Sequence, residues 1–174
     1  MLSYLKIKNF QSISDLMIDF TGSHKEPKKI IFIYGENGAG KTHIINSITF
    51  LCRSFETLTG SLKLLNEMNE DSFNNNIPKE MLEKILKLRY PKNINQLYSE
   101  YKMVDCTDDM ELEYGFRIDG KDGYYRLVIH NGDLISEKLY YLVGSRCGVV
   151  FDFTPDKTYL SPTVFKESLF VQNI

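Results

Sequence analysis

Residues 30–42 read Ile-Ile-Phe-Ile-Tyr-Gly-Glu-Asn-Gly-Ala-Gly-Lys-Thr, and this stretch carries the strongest structural signal in the sequence. Its first part, Ile30–Tyr34, is an unbroken apolar run, which predicts a strand buried on both faces of a sheet. Its second part, Gly35–Thr42, matches the pattern G-x-x-x-x-G-K-[ST] at every fixed position. After Thr42 the apolar residues recur at helical spacing. Strand, glycine-rich loop and helix in this order predict a phosphate-binding loop.

Each residue type in the loop suits an anionic, magnesium-bearing ligand. Glycines let the backbone adopt positive φ, so that successive N–H groups converge on phosphate oxygens, and the helix N-terminus adds partial positive charge. Lys41 would reach the β- and γ-phosphates of ATP, and the Thr42 hydroxyl would bind Mg²⁺. His43 is predicted either to bind a phosphate or to be solvated on the first helical turn. The predicted phosphate-binding set is Gly35, Glu36, Asn37, Gly38, Ala39, Gly40, Lys41, Thr42 and His43.

Composition limits the function classes. The chain has 174 residues, of which 43% are hydrophobic and 25% charged, as in an ordinary globular domain. The net charge of −2 excludes a uniformly basic nucleic-acid-binding protein. Residues 1–55 carry an excess of Lys and Arg over Asp and Glu, so contact with a polyanion is expected in this part.

The expected compartment is the cytoplasm. Cys52, Cys106 and Cys147 have no metal-binding spacing and are predicted to be free thiols in a reducing environment. Lysines interrupt the apolar residues of the first ten positions, so we predict no signal peptide. Every apolar run is shorter than the ~18–20 residues that a membrane span needs, so we predict no membrane partner.

The sequence pattern divides the chain into four parts. The predicted parts are 1–55 (strands, loop and helix), 56–109 (a helical and irregular insertion), 110–155 (an antiparallel β segment) and 156–174 (the start of a further element). In the first part we predict strands at Tyr4–Phe10 and Met17–Phe20, joined by a turn at Ser12–Asp15. Asn66–Lys79 is predicted to be a mobile loop, and Asn131-Gly132 a hairpin turn.

Apolar periodicity also predicts which faces of the helices are buried. The first helix is expected to bury Ile44, Ile48, Leu51, Cys52 and Phe55. A further helical face is predicted at Met81, Ile85 and Leu88, ending at Pro91.

The motifs together resemble a known family. The segments YLKIKNFQSISDLMIDF and IIFIYGENGAGKTHIINSITFL resemble the N-terminal half of ABC-type, RecF/SMC-like AAA-family ATPases, in which N-F-x-S (here Asn9–Ser12) precedes G-x-N-G-x-G-K-[ST]. The β segment, with LEYGFRIDG, NGDLISEKLYYL and VVFDF, is similar to a bacterial branch near the overcoming-lysogenization-defect (OLD) ATPases.

The resemblance implies a fold and a mechanism. The implied fold is an α/β P-loop NTPase head of the ABC-ATPase type, here partial, with a helical insertion and an antiparallel β segment. Two heads would dimerise around ATP and Mg²⁺, coupled to a nuclease or toxin subunit or to a DNA transaction such as phage defence. The sequence contains no signature loop and no strand ending in Asp-Glu, so no catalytic residue is assigned. We therefore expect the N-terminal portion of a longer ATPase, with a split or decayed gene as the alternative.

Four further residues are weaker candidates. The resemblance places Gln11 and Ser12 beside the base and ribose, where the alternative is a plain turn. It places Gln172 as a Q-loop residue near Mg²⁺, where the alternative is a polar surface residue. Asp152, in Gly148–Asp152, would bind Mg²⁺ if that segment were a Walker B strand, and the chain would then be a self-contained NTPase. The alternative is an ordinary meander strand. A further functional alternative is a nucleotide-dependent interaction subunit without turnover.

Overall fold

The computed structural model describes residues 1–69 and 93–165. Seven strands form one sheet in the order β2-β1-β3-β4-β5-β6-β7, and every neighbouring pair is antiparallel. The strands are β1 (Leu2–Phe10), β2 (Ile13–Asp19), β3 (Met110–Ile118), β4 (Lys121–His130), β5 (Asp133–Val143), β6 (Arg146–Thr154) and β7 (Lys157–Leu160). The helices are α1 (Lys41–Asn69) and α2 (Ile94–Tyr101), and Ser23–Lys25 form a short 3₁₀ turn.

β1 shows how the sequence builds the inner face of the sheet. Leu5 and Ile7 alternate with Lys6 and Lys8 and are fully buried, as expected for a strand with one face on the core. Asn9 has φ of 53°, so the alternation shifts and Phe10 is also fully buried.

Tight turns explain the meander from β3 to β5. Asp119 and Gly120 have φ of 50° and 71°, and Asn131 and Gly132 have φ of 49° and 94°. Two successive left-handed residues make the turn that matches the twist of antiparallel strands, and glycine adopts this conformation without steric cost. The predicted Asn131-Gly132 turn is therefore present, and the antiparallel β segment extends to Leu160.

The core lies between the inner face of the sheet and the two helices. The rings of Phe10, Phe50 and Tyr101 contact one another with centroids 5.4 to 5.9 Å apart. The hydroxyl of Tyr114 donates a hydrogen bond of 2.6 Å to the carbonyl of Ser47 on α1. Burial raises the pKa of Tyr114 far above its usual range, so this hydroxyl stays a protonated donor. α1 is thus held to β3 by both packing and a buried hydrogen bond.

The segment Ile30–Tyr34 differs from its prediction. It is coil, and its side chains are exposed by 71, 42, 73, 37 and 86% in chain order. A strand requires a neighbour that pairs with its backbone, and no strand in residues 1–69 or 93–165 does so. The predicted buried strand is therefore wrong for this structure. The α/β class is met only in part, since the sheet in the described residues is antiparallel throughout.

Smaller predictions also require correction. The first turn lies at Gln11–Ser12, because β2 begins at Ile13 and pairs in register with β1. α1 continues to Asn69, so the first residues of the predicted loop Asn66–Lys79 are helical and the rest lie outside the described residues. The segment from Met81 to Pro91 also lies outside them.

The buried face of α1 also differs from the predicted stripe. Ile44, Ser47, Phe50 and Ser54 are buried, whereas Cys52 and Phe55 are exposed. Spacing in the sequence shows that two apolar faces exist, but only the position of the sheet decides which face is covered.

Candidate functional site

The loop Gly35–Gly40 runs directly into the N-terminus of α1. Gly38 and Gly40 have φ of 88° and 83°, a region that L side chains rarely adopt. A Cβ atom added at Gly38 would meet no atom within 4 Å, so open space lies beside the backbone there. The loop therefore has room for a ligand against its main chain.

Lys41 folds back across this loop. Its Nζ donates hydrogen bonds of 2.7 Å to the carbonyl of Gly35 and 2.6 Å to that of Glu36. Since an ammonium group carries three N–H donors, one remains beyond these two bonds. The lysine thus places a positive charge at the loop and keeps donor capacity for an anion.

The first turn of α1 adds backbone donors. The amides of His43 and Ile44 donate to the carbonyl of Gly40 at 3.0 and 3.3 Å. The amides of Lys41 and Thr42 precede them and have no acceptor within the helix. Oriented amides and the positive end of the helix favour an anion at this position. Thr42 is exposed, so its hydroxyl is accessible.

The β1–β2 turn lies against the same helical turn. Ser12 Oγ and His43 Nδ1 are joined by a hydrogen bond of 2.6 Å, and Asn46 Nδ2 donates to Gln11 Oε1 at 3.0 Å. A Cβ atom at Gly40 would lie 3.9 Å from Ser12 Oγ. The structure therefore brings Gln11, Ser12 and His43 together with the loop.

An open cavity of ≈ 530 Å³ adjoins this cluster. It is lined by Gln11, Ser12, His43, Glu100, Lys102, Met103 and Val104. The segment from Lys102 to Val104, which follows α2, was missed by sequence reasoning. No local motif marks it, because it reaches the cavity only through the pairing of the chain after α2 with the end of β1.

Asp152 lies elsewhere. It is on β6, which three strands separate from β1, and its carboxylate accepts a hydrogen bond of 2.7 Å from Lys138. Gly148–Asp152 thus belongs to an antiparallel meander strand, and the structure does not bring Asp152 to Thr42. Gln172 lies outside the described residues. All three cysteines are free.

Comparison with known proteins gives two kinds of match. The family described as AAA domain matches residues 4–80. Proteins named DNA replication and repair protein RecF, from Francisella tularensis subsp. novicida (strain U112), subsp. tularensis (strain WY96-3418) and subsp. holarctica (strain FTNF002-00 / FTA), are each 38% identical over 72 residues. The match covers 41% of this chain and 19% of each relative, so the chain spans only a small part of the length of these curated relatives. No helix in the described residues is long and apolar enough to cross a membrane.

Proposed function

The N-terminal part of this chain is that of a RecF/SMC-like, ABC-type AAA ATPase, and on this premise we propose that Gly35–His43 bind the phosphates of ATP. The observation that carries the proposal is the loop itself. Two left-handed glycines, the ammonium of Lys41 and the amides at the start of α1 surround open space at the main chain. A triphosphate is the ligand that best matches these donors.

Magnesium would be held jointly by protein and nucleotide. In the part of the chain that the structure describes, no group of three or more His, Cys, Asp or Glu residues is placed to hold a metal ion. Mg²⁺ that keeps its waters and binds phosphate oxygens needs few protein ligands. The exposed hydroxyl of Thr42 is suited to be one of them.

Efficient hydrolysis would need more than the described residues. Asp152, the only carboxylate that the sequence suggested for Walker B, is paired with Lys138 on a distant strand. This counts against a self-contained NTPase. We propose that turnover requires a second ATPase head, in a homodimer or higher oligomer that engages around ATP, as the sequence resemblance implies.

ATP binding would be coupled to a further biological process. The matched relatives are named for DNA replication and repair, which supports a DNA transaction of the whole protein. A nuclease or toxin subunit, and a role in phage defence as in OLD-like ATPases, rest on the resemblance of the β segment alone. The three free cysteines are consistent with the cytoplasm as the compartment.

The second candidate function is a nucleotide-dependent interaction subunit without turnover. It is favoured by the same observation, namely that Asp152 is paired with Lys138 on a strand away from the loop. In that case ATP would order the loop and the β1–β2 turn for a partner. A steady-state ATPase assay of pure protein separates the two, because the interaction subunit would remain inactive at every protein concentration, whereas a dimerising ATPase would gain specific activity with concentration.

Calorimetric titration with ATP at millimolar Mg²⁺ tests the proposal directly. We expect Lys41→Ala to weaken ATP binding about 10- to 100-fold, since a hydrogen bond to a charged group contributes about 1.5–3 kcal/mol. Lys8→Ala is the matched control, because Lys8 is an exposed lysine on β1 and is not part of the loop. If the folded wild-type protein takes up no ATP under these conditions, the proposal is wrong.

A further inference from the structure

Backbone hydrogen bonds fix one wall of the cavity beside the loop. The amide of Gln11 donates to the carbonyl of Tyr101 at 2.8 Å, and the amide of Met103 donates to the carbonyl of Asn9 at 3.2 Å. The amide of Lys102 also donates to the carbonyl of Tyr98, at 2.8 Å. These bonds fix the chain after α2 against the end of β1.

The lining of the cavity combines apolar and polar side chains. Met103 is half-buried, and Val104 is an apolar side chain with 79% of its surface exposed at the cavity. Ser12 and His43 lie next to the loop, because they are hydrogen-bonded to each other and a Cβ atom at Gly40 would be in ordinary contact with Ser12 Oγ. Small-molecule sites of this size are typically apolar with a few polar groups that set orientation.

We propose that this cavity binds the nucleoside of the nucleotide whose phosphates lie in the loop. Met103 and Val104 contact the flat faces of the purine base, and the Ser12–His43 pair lies beside the ribose. The inference rests on the proposed function, since it requires the phosphates at Gly35–His43. It adds the segment after α2, which no motif identifies, as the part of the chain that recognises the base.

Two probes separate the nucleoside from the phosphates. ATP and inorganic tripolyphosphate are titrated calorimetrically, both with Mg²⁺, into the wild-type chain and into the variant Met103→Ser/Val104→Ser. We expect the variant to bind ATP about five- to tenfold more weakly, because apolar contact area is lost, and to bind tripolyphosphate as the wild type does. We also expect the wild type to prefer ATP over tripolyphosphate.

Controls address folding and specificity. Val104→Ser alone is a second variant, since an exposed side chain can be truncated without disturbing the core. Met17→Ser is the matched control, because Met17 is 62% exposed on β2 and does not line the cavity. It should leave the affinity for both probes unchanged.

The outcomes distinguish this inference from the proposed function. If the wild type binds tripolyphosphate as tightly as ATP, or if the double variant retains full ATP affinity, the nucleoside lies elsewhere and the inference is overturned while the phosphate loop stands. Equal weakening of both probes in the double variant also overturns it. If the wild type binds neither probe, the phosphate loop and the nucleoside cavity fail together.

Discussion

Gly115 on β3 has no side chain, and this leaves space for the ring of Tyr4 from the neighbouring strand β1. A Cβ atom placed at Gly115 would overlap that ring. Tyr4 and Lys6 both donate hydrogen bonds of 2.8 Å to Glu113, so the ring position is tied to a polar cluster on the same face. Burial and the neighbouring Glu113 carboxylate raise the pKa of Tyr4 above its usual range, which keeps its hydroxyl a donor.

We predict that Gly115→Ala destabilises the fold by about 1–3 kcal/mol, because the ring of Tyr4 must move and its bond to Glu113 is strained. Chemical denaturation of the purified variant measures this loss. Gly148→Ala is the control, since a Cβ atom there would make only ordinary contact with Val143 at 3.6 Å. Equal denaturation midpoints for the two variants would show that the ring of Tyr4 can move without loss of stability.

Among the elements, α1 connects the candidate site to the core. Its first turn holds the loop, while Ser47 and Phe50 further along contact β3 and the end of β1. The loop geometry therefore depends on how firmly the helix is docked. The bond from Tyr114 to the carbonyl of Ser47 is the buried polar contact that fixes this docking.

We predict that Tyr114→Phe costs about 1–3 kcal/mol of stability, since it removes a buried hydrogen bond and leaves a carbonyl with one partner fewer. Thermal and chemical unfolding of the variant give this value. Tyr141→Phe loses a hydroxyl that donates to the carbonyl of Ile118 at the surface, and it should be nearly neutral. A neutral Tyr114→Phe would mean that packing alone holds the helix.

Local signals in the sequence predicted some elements and missed others. The alternation of apolar and polar residues predicted β1, and Asn131-Gly132 predicted a turn. Both signals depend only on residues that are neighbours in sequence. Gly38 and Gly40 of the motif Gly35–Thr42 adopt the positive φ that the motif predicts, while phosphate binding by this loop stays a prediction. The predicted burial of Ile30–Tyr34 was wrong, because the burial of a strand depends on its partner strands. The cavity wall at Lys102–Val104 was missed because α2 and β1 meet only in the folded chain.

At the scale of the whole molecule, the run Ile30–Tyr34 is the main exposed apolar segment beside the loop. Its side chains are apolar, and no strand in residues 1–69 or 93–165 pairs with its backbone, a combination that favours association with an extended segment of another chain. We predict that the wild-type protein associates increasingly with concentration in sedimentation velocity experiments, and that Phe32→Glu reduces this association.

The control for that prediction is Met17→Glu, which introduces the same charge at another exposed apolar side chain on β2. It should leave the association unchanged. A wild-type protein that sediments as a monomer over the whole concentration range would contradict the prediction.

The pairing of β1 with β3 also has a consequence for biosynthesis. Tyr4 and Glu113, which bond across these strands, lie 109 residues apart in sequence, whereas neighbouring strands from β3 to β7 are joined by short turns. At ~5–20 residues per second, a ribosome needs on the order of ten seconds to make the intervening chain. During this time the first hairpin has no β3 to pair with, so its apolar face lacks its partner strand until the meander emerges.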